Sequence, residues 1–84
     1  MPSDIETIGA IERNLAGMQS YGFWTVGLTP TPDMRERDLD YPSFWRFWGT
    51  DTPQQAGAVR NYFLHKGMRD DGEHGEGARY VYLY

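Results

Sequence analysis

Most of this chain's aromatic residues sit in three short runs, residues 21–29 (YGFWTVGLT), 43–50 (SFWRFWGT) and 78–84 (ARYVYLY). Aromatic and β-branched residues fit the pleated, half-buried surface of a sheet, and each run is short for a helix, so each is predicted to be a strand. Successive side chains of a strand point to opposite faces. In the first run Tyr21, Phe23, Thr25 and Gly27 share one face, and Gly22, Trp24, Val26 and Leu28 share the other. Neither set is polar, which predicts a central strand covered on both sides. In the second run Phe44, Arg46 and Trp48 alternate with Trp45 and Phe47; in the third, Arg79, Val81 and Leu83 alternate with Tyr80, Tyr82 and Tyr84. A sheet with one solvated face does not need aromatics on both sides, so the sequence poses the question of what covers the second face.

Helix signals separate the runs. Ser3 and Glu6 read as a capping box, after which Ile5, Ile8, Ile11, Leu15 and Met18 recur at helical spacing, with Gly17 or Ser20 as the stop. Thr31 and Pro32 suit the N-cap and first turn of a short helix in which Met34 and Leu39 supply core, Arg35, Glu36, Arg37 and Asp38 face solvent, and Tyr41-Pro42 ends the element. Thr52-Pro53-Gln54-Gln55 is the clearest start in the chain, combining an N-cap, a proline at the first position and a capping-box glutamine. Ala56, Val59, Tyr62 and Phe63 form the inward face of that helix, and Gly67 is placed as a left-handed C-cap followed by the hydrophobic Met68. Residues 69–77 are acidic and glycine-rich and are predicted to be a mobile loop. The expected order is α-β-α-β-α-β: a single α+β domain over residues 1–84, with a three-stranded, mainly antiparallel sheet flanked by helices.

A chain of 84 residues suits one domain. At this size only about 60–65% of the unfolded chain's surface is buried on folding. There is no cysteine to add a disulfide or a thiolate metal site, so packing must hold the fold. The net charge of −4, with eight Lys and Arg, disfavours a binder of phosphate backbones and suits a soluble protein or one meeting a basic partner. No apolar run approaches the length of a membrane span, and the first residues lack the apolar core of a signal peptide. No membrane association and a cytoplasmic location are the expectation.

Thr25-Val26-Gly27-Leu28-Thr29, followed by Arg35, resembles the second half of a GIY-YIG endonuclease domain. That family has a strand ending Tyr-Ile-Gly, a loop, and a helix bearing a catalytic arginine; Arg35 stands eight residues after Gly27, a similar spacing. The stretch from Gln55 to Leu64 looks like the family's final helix, where a metal-binding glutamate follows an alanine by four residues. The family's tyrosine falls on Thr25 and its glutamate on Arg60, a cation that would repel Mg²⁺. The family's first strand, Gly-Ile-Tyr, is absent upstream, and residues 80–84 could take its place in a permuted sheet. The resemblance spans residues 21–67 and implies a related layout without nuclease chemistry.

Other chemistry finds little to work with. Two histidines and scattered hydroxyls compose no nucleophilic triad, and there is no cysteine nucleophile. The acidic residues between Arg69 and Gly77, with His74, offer oxygen and nitrogen ligands, but fit no EF-hand spacing and are ordinary loop residues. Glu36 and Asp40 at helical spacing read as a solvated face, and His65 as a favourable charge at a helix end. No metal or cofactor is expected. The candidate binding residues are Trp24, Trp45, Arg46, Trp48, Tyr80 and Tyr82, joined by Arg35. Exposed tryptophan, tyrosine and arginine are typical of protein interfaces, and aromatics with interleaved arginines can also stack nucleobases. The sequence therefore points to a non-enzymatic interaction module that binds a protein partner or forms a homodimer through its aromatic sheet surface. The alternative is a degenerate GIY-YIG-like domain that binds nucleic acid through Arg35, Arg37, Arg46 and Arg60 without cleaving it, which the acidic balance makes the less favoured partner.

Overall fold

The computed structural model of the protein describes residues 4–15, 21–73 and 77–84. Its elements run α1 (Asp4–Leu15), a 3-10 turn (Tyr21–Phe23), β1 (Thr25–Thr29), α2 (Pro32–Asp38), β2 (Arg46–Gly49), α3 (Pro53–His65), β3 (Arg69–Glu73) and β4 (Tyr80–Leu83). The four strands form one mixed sheet in the order β2-β4-β1-β3. β4 pairs antiparallel with both β1 and β2, while β3 runs parallel to β1. The fold is thus a small α+β domain, but the expected three strands and α-β-α-β-α-β order are corrected to four strands and α-β-α-β-α-β-β.

The extra strand is the segment expected to be a mobile loop. Arg-Asp-Asp-Gly-Glu is poor in strand-forming side chains, yet its backbone completes a ladder: Arg69 N–H donates to Trp24 O at 2.9 Å, and Arg69, Asp70 and Glu73 pair with Thr25, Val26 and Leu28. Tertiary pairing here overrides propensity. β3 is an edge strand, so polar side chains cost it little, and the register slips between Val26 and Leu28.

α3 forms as its local signals require. Gln55 N–H donates to Thr52 Oγ1 at 3.2 Å and Gln55 Oε1 accepts from Thr52 N–H at 3.3 Å, a closed capping box with Pro53 behind it. At the other end Gly67 adopts φ 110°, Gly67 N–H reaches Leu64 O and Met68 N–H reaches Phe63 O. These two bonds make a Schellman motif and turn buried Met68 into the core.

α1 and α3 pack against one face of the sheet. Ile11 and Leu15 from α1 and Ala56, Val59 and Phe63 from α3 meet Val26, Leu28, Val81 and Leu83 in one cluster. Several sequence expectations change at the margins of this core. Ile5 is 77% exposed and Met34 52% exposed, so neither belongs to it. The first strand loses Tyr21–Phe23 to the 3-10 turn, which lays Tyr21 against Phe63 with ring centroids 5.9 Å apart and leaves Phe23 outward. The second strand is shortened to four residues. Thr31 makes no side-chain cap on α2; Thr29 Oγ1 accepts from Thr31 N–H at 3.1 Å instead. α2 ends at Asp38 with Leu39 as its C-cap, short of the expected stop at Tyr41-Pro42, and Asp40 and Tyr41 follow in the left-handed region (φ 61° and 55°). The proposed Ser3 cap, Met18 and the stop at Gly17 or Ser20 lie outside the described residues.

Candidate functional site

The sheet's second face is built from alternation along β4. Val81 and Leu83 point to the helices, so Tyr80, Tyr82 and Tyr84 point the other way. Trp45 and Phe47 reach the same side from β2 and its entry. Tyr82 is fully buried. Its ring stacks on Trp45 (5.0 Å, 25°) and on Tyr84 (6.0 Å, 17°), and it crosses β1 where Gly27 has no side chain. A Cβ at position 27 would collide with the Tyr82 hydroxyl and ring.

A polar cluster closes over this stack. Arg35 of α2 donates from Nη2 to Asp71 Oδ2 at 2.8 Å and from Nε to Tyr82 Oη at 3.0 Å. Tyr84 Oη donates to Asp71 Oδ1 at 2.9 Å, and Tyr82 Oη donates to Asp71 Oδ2. Arg35 thereby tethers α2, which has no fully buried residue of its own, to β3 and β4.

The electrostatics of the cluster are those of a fastened joint. Burial alone would lower the Arg35 pKa, but its bonds to Asp71 and Tyr82 outweigh that and raise it. Burial opposes ionisation of Asp71, yet donors from Tyr82, Arg35 and Tyr84 hold its carboxyl below the usual range. Burial, then the bond to Asp71, pushes the Tyr82 and Tyr84 phenols up. Every shift moves its group away from neutrality, and proton transfer at neutral pH needs the opposite.

The structure divides the expected binding residues between the two faces. Trp45, Tyr80, Tyr82 and Arg35 come together on the second face. Trp24 and Trp48 lie on the helix side: Trp24 is buried with its ring 4.3 Å from Phe44, and Trp48 packs half-buried against the core. Arg46 shares Trp48's side and sits exposed, with its guanidinium 5.0 Å from the Phe44 ring. A single aromatic surface carrying all seven residues does not form, because strand alternation separates neighbours in sequence. The four arginines of the nucleic-acid alternative are divided too: Arg35 reaches the second face, whereas Arg60 belongs to α3 on the helix side.

Sequence reading missed Asp71 as the hub, since its strand was not recognised. The signal available was chemical: buried tyrosines and a nearby arginine require a carboxylate, and few lie close to the third run. Asp70 takes a different part, its Oδ1 accepting from Gly72 N–H at 2.7 Å. Among the described residues no group of three acidic, histidine or cysteine side chains is arranged to hold a metal ion. His74 lies outside the described residues.

Phe23, Tyr41 and Phe47 are the exposed aromatics among the described residues, and of these Phe47 lies on a strand, β2. Phe47, 44% exposed, stands edge-on to Tyr80 with centroids 6.0 Å apart, with half-buried Trp45 on the same face and Trp48 turned to the helix side. β2 is an edge of the sheet. Comparison with known proteins gives no match to this chain among family models, curated proteins or solved structures.

Proposed function

We propose that this protein is a non-enzymatic interaction module that takes another polypeptide along β2 and the aromatic face beside it. One observation carries the reading: an edge strand presents Phe47 to solvent on the face it shares with Trp45, with little to keep a second chain away. Exposed, aromatic edge strands are templates for pairing with another chain, and tryptophan and tyrosine supply large contact area at such sites. The Arg35–Asp71–Tyr82–Tyr84 cluster supports this by fixing the tyrosines of the aromatic face through their hydroxyls. A photocrosslinking amino acid placed at position 47, and in a second variant at Asn61 on α3, tests the proposal in the native cell extract. Polypeptide adducts are expected at 47 in clear excess over 61; equal yields would overturn it.

A second reading is favoured by one specific arrangement. β4 lies antiparallel beside β1, bringing Tyr82 across Gly27 and into hydrogen bonding with Arg35. That is the kind of permuted sheet a GIY-YIG-like layout would need, and it supports a nucleic-acid-binding remnant. Mobility shifts with single- and double-stranded DNA and RNA over a salt series separate the two readings. Salt-dependent binding weakened by Arg37→Ala favours the remnant, and no shift at low salt removes it.

A further inference from the structure

We infer that the polypeptide taken by β2 is a second copy of this chain, paired antiparallel about a two-fold axis at Trp48, with Phe47 of each copy lying over Gly49 of the other. The inference rests on the interaction-module reading and specifies its partner.

The hydrogen-bonding parity of β2 sets the possibilities. Thr50 N–H donates to Arg79 O at 2.8 Å, which makes Thr50 and Arg79 a bonded pair. Bonded and non-bonded pairs alternate along an antiparallel ladder, so Trp48 and Arg46 also turn their backbone groups to β4. Phe47 and Gly49 therefore turn theirs outward, where among the described residues no strand pairs with β2. β2 has no proline or bulge to blunt that edge, and Arg46 is its sole charge.

A symmetric pairing must oppose outward residues. Phe47 opposite Trp45 would set Arg46 against Arg46, a repulsive like-charge pair. Phe47 opposite Phe47 would recruit Trp45, whose carbonyl already accepts from Arg46 Nη1 at 3.0 Å. Phe47 opposite Gly49 uses both outward residues of the strand and sets Arg46 across from Thr50. In that register each phenylalanine ring covers a glycine that offers no side chain of its own, a self-complementary contact of the kind two-fold interfaces require.

Two further features fit a second copy. Residues 43–50 contain no acidic residue in a chain whose net charge is −4, so strand-to-strand approach along β2 sets no carboxylate of this run against another. On the helix side of the same edge lies a cleft of 620 Å³, lined by Ile5, Gly9, Ala10, Arg13, Trp48 and Gly49. The register places Trp48 of the second copy beside this cleft, in a non-hydrogen-bonded pair where side chains approach most closely. Its indole would cover Ile5, which is 77% exposed in the single chain.

Sedimentation equilibrium of the full chain gives the first reading. A dimer is expected for the wild type, and a monomer for Phe47→Lys at the same concentration with an unchanged circular dichroism spectrum. The cysteine-free background then reports the register: under mild oxidation Trp48→Cys should form a disulfide dimer about tenfold faster than Arg46→Cys, since only position 48 faces itself across the axis. A second, packing-neutral measurement guards against loss of fold in Trp48→Cys: backbone amide exchange at Phe47 and Gly49 in the wild type should slow on concentration. A wild-type monomer at high concentration, a Phe47→Lys variant that stays dimeric, or faster oxidation at position 46 each overturns the inference. If the wild type is monomeric yet position 47 still crosslinks to another polypeptide, the partner is wrong and the interaction module stands.

Discussion

Gly27→Ala should be among the most damaging single-methyl additions this protein can receive. The new Cβ would fall on the Tyr82 hydroxyl and ring, with Cε1 at 3.0 Å. A flexible side chain could retreat, but this ring is fully buried and stacked on both Trp45 and Tyr84, and its hydroxyl is bound to Asp71 and Arg35. Overpacking a rigid site costs about 1–3 kcal/mol. Displacing the hydroxyl adds about 1 kcal/mol or more, because Asp71 and Arg35 lose a partner while still largely buried. The expected loss is therefore about 2–4 kcal/mol, against a total of roughly 4–13 kcal/mol for a domain of this length. Urea unfolding followed by tryptophan fluorescence measures it, together with the same substitution in a Tyr82→Leu background, where the methyl meets no phenol. A loss under about 0.5 kcal/mol, or equal losses in both backgrounds, would refute the account of Gly27 as the seat of Tyr82.

The same cluster predicts pH effects of opposite direction at the two extremes. The Asp71 carboxyl is held below its ordinary value by donors that outweigh its burial, so its contribution is present above about pH 4 and is lost as pH falls through the folded value. The urea midpoint of the wild type should fall toward that of Asp71→Asn in acid; a constant gap from pH 7 to pH 3 refutes this. The Tyr82 and Tyr84 phenols are raised by burial and then by Asp71, so their contribution persists below about pH 10 and is lost as pH rises through the folded values. Spectrophotometric titration at 295 nm should show three late-ionising tyrosines in the wild type, Tyr62 joining them through its bond to Glu12, and one fewer in Tyr82→Phe. Thr52→Ala should cost about 1 kcal/mol through loss of the capping box, read as a lowered urea midpoint, and an unchanged midpoint would deny the cap its role.

How much of this was legible in the sequence depended on how local each interaction is. α3 could be read from end to end because Thr52, Gln55, Gly67 and Met68 act within a few residues of one another. β3 could not, because nothing in Arg-Asp-Asp-Gly-Glu favours a strand until β1 offers it a parallel ladder far away in the chain. Asp71 was hidden for the same reason: its partners Arg35, Tyr82 and Tyr84 converge on it only in the folded chain. The division of aromatics between faces was half legible. Alternation separates Trp45 from Trp48, but only the pairing of β2 with β4 tells which side meets the helices. Helical periodicity marked Ile5 and Met34 as apolar positions without showing that α1 leaves an open cleft at β2, or that α2 is held by one guanidinium rather than by a core.

That last contrast explains why the second face is organised as it is. A helix of seven residues with no buried side chain cannot seal a sheet by apolar packing. Arg35 instead crosses to Asp71 and Tyr82, and the charge it brings beneath α2 is neutralised by a carboxylate from a strand otherwise unsuited to the sheet. Closing the centre of the face this way leaves its β2 margin without cover. Tyr82 is therefore fully buried while Phe47, directly opposite it in register, is 44% exposed. The two aromatics are adjacent and chemically similar, and only one has a polar clasp above it. A second copy presenting the same edge would give Phe47 the cover that Tyr82 has from the clasp.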